Sequence, residues 1–495
     1  MTWCGALQIT RFHVIVFFAW QLAIYFACQQ LFPIFSNYSP RFRCSSGNDS
    51  TTAFGKDCAA LAKCPPHDVE FEQVAFYSTV LEFNMFCGER AYFASLISSL
   101  QFFGVIVGTI SYGHMADKFG RKPISLLSIS LGILFVMVSG ASPSWLILLI
   151  FRFLVGTSVG GVVVVYTYVV ELILPQQRMF LRAFFNWGIG RVTLTVVCAL
   201  VPYWRTASVV SAAVVLPFLP IVYFVFPESP TWLENKGRFR EMHESQTKIA
   251  RIAGIASPTF TQKHDLSREC EKPEKLYSIR DLFANPTITK RTLILCLLWF
   301  TASLCSYAND LNSRTLAGDF YLNQILFSIV IVSSKVAMFG LDTLVPQFSR
   351  RKLHQIPQAC VVVCFTALMC ILIFEDAPVA VLVISIVGAV LIEYTWDACY
   401  LSSAEGFPTE VRAIGVSSCS LVARVGALLA PQLAFLGTLW RPSPFLAVAL
   451  LGFVTLIFSC LYLPETKGAD LAVRDRAISF LEDEEQKKQE EEHML

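Results

Sequence analysis

The run Gly113-His114-Met115-Ala116-Asp117-Lys118-Phe119-Gly120-Arg121-Lys122 lies between two long apolar stretches. Gly113 allows close helix approach and Gly120 a tight turn, so two membrane spans can be joined by a very short loop. Asp117 and Arg121 then sit at the membrane surface, where they can pair with each other or with helix ends. The surroundings of this run return about half a chain later. Glu171 and Arg178 reappear as Glu405 and Arg412, both displaced along the chain by the same offset. Pro227-Glu228-Ser229 returns as Pro464-Glu465-Thr466, and Arg121-Lys122 as Arg350-Arg351, each at almost that offset. Landmarks with nearly one offset indicate two similar halves, each a bundle of membrane helices. Parallel repeats about an axis along the membrane normal are a transporter architecture, with the substrate between the halves.

Composition agrees. The chain has 495 residues, 55% hydrophobic and 15% charged, with mean hydropathy +0.56, whereas a soluble domain carries about 25% charge. A span needs roughly 20 apolar residues. The sequence predicts about twelve, six between Phe12 and Phe226 and six between Thr292 and Leu463. The fold class expected is an all-α membrane protein of two pseudo-symmetric six-helix bundles. Residues 1–230 form the first bundle, with an outer loop at 37–90. Residues 231–290 form a linker with amphipathic stretches such as Phe239 to Ile252, 291–466 the second bundle, and 467–495 an acidic tail. The first apolar run is too long for a secretory signal and lacks a cleavage site, so it reads as the first span.

Lys118, Arg121, Lys122, Arg178, Arg182, Arg350, Arg351, Lys352 and Arg412 fall on one side of a twelve-span thread. The short loops opposite, 139–144 and 375–377, carry no Lys or Arg. The basic side is therefore expected to be cytosolic, with both termini. The outer loop then holds Cys44, Cys58, Cys64 and Cys87, which suggest two disulfides of open connectivity. A zinc site is the competing reading, opposed by a single nearby histidine, His67, and no CxxC pair. Asn48 heads a glycosylation sequon, and Asn37 heads a second close to the membrane.

Glu171, Arg178, Glu405 and Arg412 flank corresponding helix junctions. Such charges can form a latch that holds one face closed and breaks as the bundles rock; plain topological anchoring is the alternative. Three cations lie well inside spans: Arg191, Lys335 and Arg424. A charge at mid-bilayer costs about 2.5–3.5 kcal/mol on insertion scales, so each faces a cavity or a partner, and Asp397 or Glu393 can serve as that partner. Gly156-Thr157-Ser158-Val159-Gly160 fits a nucleophile elbow but falls in an apolar helix, where glycines serve packing. No GxxxxGK[ST] run appears, which argues against an ATP-driven pump. No enzyme activity, cofactor, metal or nucleic-acid partner is expected; the lipid bilayer is the one certain surrounding.

These residues resemble the major facilitator superfamily, and within it the organic cation, organic anion and carnitine transporters (solute carrier family 22-like). The resemblance covers nearly the whole chain. It rests on Ser78 to Asn84 with Cys87, the loop from Gly113 to Pro123, and Pro227 to Leu233 with Lys236-Gly237-Arg238. Lys290 to Leu293, Phe407 to Arg412, Cys419 to Gly426 and Pro464 to Gly468 complete it. It implies polyspecific uptake or exchange of small organic ions, against a counter-anion in the exchange case, at a plasma membrane without ATP hydrolysis. By resemblance, Arg424 and Lys335 (the latter by its spacing from Tyr321) match basic positions of the anion branch and favour anionic substrates. Tyr307, Trp396 and Tyr400 match aromatic positions of the family's cavity. Asp397 stands where that branch has a neutral residue, so it can pair with a cation or admit a zwitterion or cationic substrate. Arg191 has no counterpart there. In the second loop copy Pro346 replaces the expected acid and Ser349 the expected glycine, which weakens that copy.

Overall fold

The computed structural model describes residues 9–44, 54–55, 68–72, 74–87, 89–255, 279–283, 286–344, 349–374, 377–408 and 411–465. Twelve of its helices are long and apolar enough to cross a membrane. Six precede Pro227: Arg11–Ser36, Arg90–Phe119, Arg121–Gly140, Trp145–Leu172, Phe180–Leu200 and Trp204–Val225. Six follow: Pro286–Thr315, Phe320–Met338, Arg350–Phe374, Pro378–Gly406, Arg412–Leu439 and Ser443–Tyr462. Several outrun the apolar stretches that predict them, because polar residues at helix ends reach the interface without breaking the backbone ladder. The second span continues through Gly113 to Phe119, and the seventh runs on past Ala308 to Thr315. The second case matters, because it places Asp310, which is buried, within the seventh candidate span.

Gly120 is the whole join between the second and third spans. Its φ of +110° is one that side chains rarely adopt, and a Cβ there would strike the Glu228 carboxylate. Gly113 does not serve helix approach: a Cβ at that position would meet nothing within 4 Å. The close approach lies deeper, where the second and fourth spans cross. A Cβ on Gly108 would meet the Thr157 backbone and one on Gly156 the Gln101 carbonyl. Gly156 to Gly160 is therefore a packing surface inside a helix, not an elbow.

After Pro227, a short helix Pro230–Asn235 and an amphipathic helix Phe239–Ala253 fold back onto the first half. Trp232 donates its indole N–H to the Asp117 carbonyl at 3.1 Å, and Ser245 donates to the Glu228 carbonyl at 2.6 Å. At the opposite face, strands Phe42–Cys44 and Val69–Phe71 pair antiparallel. Cys44 and Cys87 are each disulfide-bonded; Cys58, Cys64, His67 and Asn48 lie outside the described residues, as do 466–495. The geometry of Asn37 opposes a glycan there. It is 7% exposed, and its amide nitrogen donates to the Ala94 carbonyl and to Ser98 Oγ at 2.9 Å, which leaves a sugar neither space nor a free nitrogen.

Candidate substrate site and its gates

On the basic face the two halves carry one wiring diagram twice. Arg121 N–H and Lys122 N–H donate to Glu228 Oε1 at 2.9 and 3.1 Å, at the start of the third span. Arg350 N–H donates to Glu465 Oε1 at 2.8 Å and Arg351 N–H approaches Oε2 at 3.4 Å, at the start of the ninth. A helix start has unpaired N–H groups and a positive dipole end, so a carboxylate suits it. Arg121 also pairs with Asp117 at 2.6 Å and with Glu171 at 3.6 Å; Arg350 pairs with Glu405 at 3.1 Å. Each glutamate therefore meets the loop arginine rather than the arginine that follows it in the chain. Arg178 and Arg412 instead donate to the carbonyls of Val170 and Phe407. These contacts stay within one half, so here they fasten helices inside a bundle and do not join bundle to bundle. Of the two departures in the second copy, Ser349 has a capping role. Ser349 Oγ donates to Glu465 and accepts Lys352 N–H at 3.2 Å, so the serine in place of glycine caps its helix. Pro346 lies outside the described residues.

The intramembrane cations separate into three situations. Lys335 in the eighth span is neutralised twice over, by Glu393 at 2.8 Å and Asp397 at 2.9 Å, both in the tenth. One lysine between two carboxylates leaves a surplus acid, and Asp397 Oδ2 is buried without a hydrogen-bond partner. Arg191, 2% exposed, is engaged through both terminal nitrogens: it pairs with Asp310 and donates to Gln324 Oε1 at 2.9 Å, while its Nε is buried without a hydrogen-bond partner. Arg424 differs. Among the described residues it has neither an ion pair nor a hydrogen bond, and its charge bears on the phenols of Tyr307 and Tyr400.

Further aromatic rings pack on one of those two phenols. Trp396 and Tyr400 stack at 5.8 Å between centroids, and Trp299 stands edge-on to both at 5.6 and 4.4 Å. Trp299 is fixed by its indole N–H to Ser403 Oγ at 2.7 Å. Tyr307 reaches across to the first half, donating to Gln30 Oε1 at 2.9 Å beside Phe102. Tyr400 is 39% exposed, and the guanidinium of Arg182, from the first half, lies 4.7 Å over its ring.

Comparison with known proteins decides the family. The family model described as "Sugar (and other) transporter" matches residues 65–477. An organic cation transporter-like protein of Drosophila melanogaster is 31% identical over 409 residues, 79% of this chain and 70% of that one. Human solute carrier family 22 member 16 is 30% identical over 477 residues, 90% and 78% of the two chains. The chain belongs to solute carrier family 22 of the major facilitator superfamily. The inward-open xylose transporter XylE of E. coli shares its fold, with TM-score 0.61 over 94% of this chain and 97% of that one at 14% identity.

This family 22 carrier thus brings Arg424, Tyr307, Trp396 and Tyr400 to one region. Lys335 and Asp397 stand beside them as a paired cluster, and Arg191 is held apart in a contact of its own. Sequence reasoning missed Arg182 and Asp310. Arg182 counted only as a basic loop residue, because nothing local says that Tyr400 lies under it. Asp310 fell just beyond the seventh apolar run, which the sequence reads as Thr292 to Ala308. Around Tyr400, three cations (Arg182, Lys335, Arg424) face two carboxylates (Glu393, Asp397), which leaves one net positive charge beside a wall of rings. Such a site can hold an anionic head against an arginine and a flat organic body against aromatic faces.

Proposed function

We propose that this carrier moves organic anions across the plasma membrane, with Arg424 as the primary contact for a carboxylate or sulfate. The observation that carries the reading is the contrast between Lys335, already paired, and Arg424, which has no acid among the described residues. An unpaired cation inside a membrane protein is costly unless a cavity or a ligand receives it. Arg182 adds a second guanidinium from the opposite half, without an ion pair among the described residues, and Trp396, Tyr400 and Tyr307 supply area for the organic body. The basic face is taken as cytosolic, with both termini there, and the bundles 1–230 and 291–466 as the rocking units. The outer loop would then carry its disulfides among Cys44, Cys58, Cys64 and Cys87, with a glycan on Asn48. A ligand drives such a cycle only through unequal affinity for its two faces. An anion between Arg182 and Arg424 meets that condition, because the two arginines belong to different halves.

A zwitterion or cation is the second reading. It is favoured by the surplus carboxylate at Lys335 and the unpartnered Asp397 Oδ2. The deciding experiment is uptake of a labelled aromatic carboxylate and a labelled quaternary ammonium in cells expressing wild type, Arg424→Ala or Asp397→Asn. Carboxylate uptake that collapses at least tenfold with Arg424→Ala supports the anion reading. Ammonium uptake lost with Asp397→Asn overturns it. Tight ligand binding without flux of either probe points to a receptor built on the same fold.

A further inference from the structure

The face bearing the loop 37–90 is closed by successive contacts between the two halves. Outermost, Arg314 donates to the Asn37 carbonyl at 3.1 Å, and Phe320 packs on Tyr38 and Phe35 at 4.7 and 5.5 Å between centroids. Next, the Tyr321 hydroxyl lies 2.8 Å from the Ala75 carbonyl and 3.1 Å from that of Cys198. Deeper is the Arg191–Asp310 pair, with the Tyr307–Gln30 hydrogen bond one helical turn beyond it. Asp310 stands one helical turn from Tyr307 on the seventh span, so it adjoins the substrate region directly.

We propose that Arg191 and Asp310 are the charged clasp of this outer gate, a pair that must separate each time the carrier opens to the loop-bearing face. Arg191 belongs to the fifth span and the first half; everything that grips it belongs to the second. Asp310 takes one guanidinium arm and Gln324 the other. Gln324 is itself fixed by donating to Ser313 Oγ at 2.9 Å, and the guanidinium lies 5.3 Å over the Phe327 ring. Arg191 and Asp310 are 2% and 6% exposed. Of the ion pairs described above, this one alone joins the halves; those of Arg121, Arg350 and Lys335 each stay within one.

The physical reason concerns hydration. A buried pair is held by mutual attraction only while both charges are withheld from water. When the halves part on this face, water reaches both groups as their contact lengthens, so each charge exchanges a partner for hydration. Removing one charge has a different effect. The remaining charge is stranded in the closed state but hydrated in the open one, so either neutral variant shifts the population towards opening on this face. Removing both strands nothing. The clasp is independent of the sign of the substrate, and so of whether the anion reading holds.

The test reads conformation as well as uptake. A Tyr321→Cys reporter, just outside the clasp, is labelled on intact cells with a membrane-impermeant methanethiosulfonate, scored against surface protein. Labelling should rise at least fivefold when Arg191→Gln or Asp310→Asn is added, and fall back towards the parent rate when both are present. Unchanged labelling in the single variants, or labelling in the double variant as fast as in either, overturns the clasp. A second experiment needs neither single variant. Arg191→Cys with Asp310→Cys, joined by a short bifunctional methanethiosulfonate, should lose uptake and regain it on reduction. Undiminished uptake by the crosslinked carrier shows that the two positions need not separate and overturns the proposal.

Discussion

Glu228 and Glu465, one in each half of the molecule, receive the same backbone donors: the first N–H groups of the third and ninth spans. Each also follows the last span of its half and returns to an earlier one, so a single carboxylate ties two segments far apart in the chain at the basic face. The repeat is one of wiring and not only of sequence, since glycine precedes the first copy and serine the second.

Neutralising either glutamate should therefore weaken its own half. Glu228→Gln and Glu465→Gln are each expected to cost about 1–2 kcal/mol, the range for lost caps and charge–dipole contacts. The double variant should lose the sum, because the sites share no partner. Thermal unfolding of the purified carrier in detergent checks both statements.

Lys335 and Arg424 should separate in kind. Lys335→Met strands two carboxylates in the membrane, and breaking a buried pair costs about 3–5 kcal/mol. Surface expression should fall and recover in part when Glu393→Gln and Asp397→Asn are added. Arg424→Ala breaks no pair, so it should reach the surface normally and lose transport. Equal surface loss in Arg424→Ala would show a structural partner for that arginine.

Arg182 contacts Tyr400 through the ring face, so replacing either should weaken binding without unfolding the carrier. A cation–π contact of this kind is worth about 0.5–2 kcal/mol. Arg182→Gln and Tyr400→Leu should raise KM by roughly 2- to 30-fold, while Tyr400→Phe, which keeps the ring, should resemble wild type.

Gly156 admits no side chain where the second and fourth spans cross. Gly156→Val should reduce folded yield severely, since overpacking costs about 1–3 kcal/mol even when the neighbour is a movable side chain, and here it is backbone. Gly113→Ala, with open space around it, should be neutral. Size-exclusion yield of the two variants side by side makes the comparison.

Glycan mapping separates the two sequons. Asn48→Gln should remove a glycosidase-sensitive mobility shift, whereas Asn37→Gln should leave that shift in place and instead destabilise the contact with Ala94 and Ser98.

Much of this architecture was written in local pattern. Apolar run length fixes where a chain can cross a membrane, the near-constant offset between paired landmarks discloses the repeat, and the basic loops mark one face. These signals survive without tertiary contacts because the bilayer imposes them on each segment separately. The packing role of Gly156 to Gly160 was legible for the same reason. Partnership was not legible. Nothing in the chain says that Glu171 meets Arg121 rather than Arg178, that Lys335 is saturated while Arg424 is left without an acid, or that Arg191 ends against Asp310 from the other half. Each of these is a contact between helices far apart in sequence, within a few ångströms of range, set by helix rotation and depth. A charge inside a membrane announces by composition that it needs a partner; only the packed bundle decides which one.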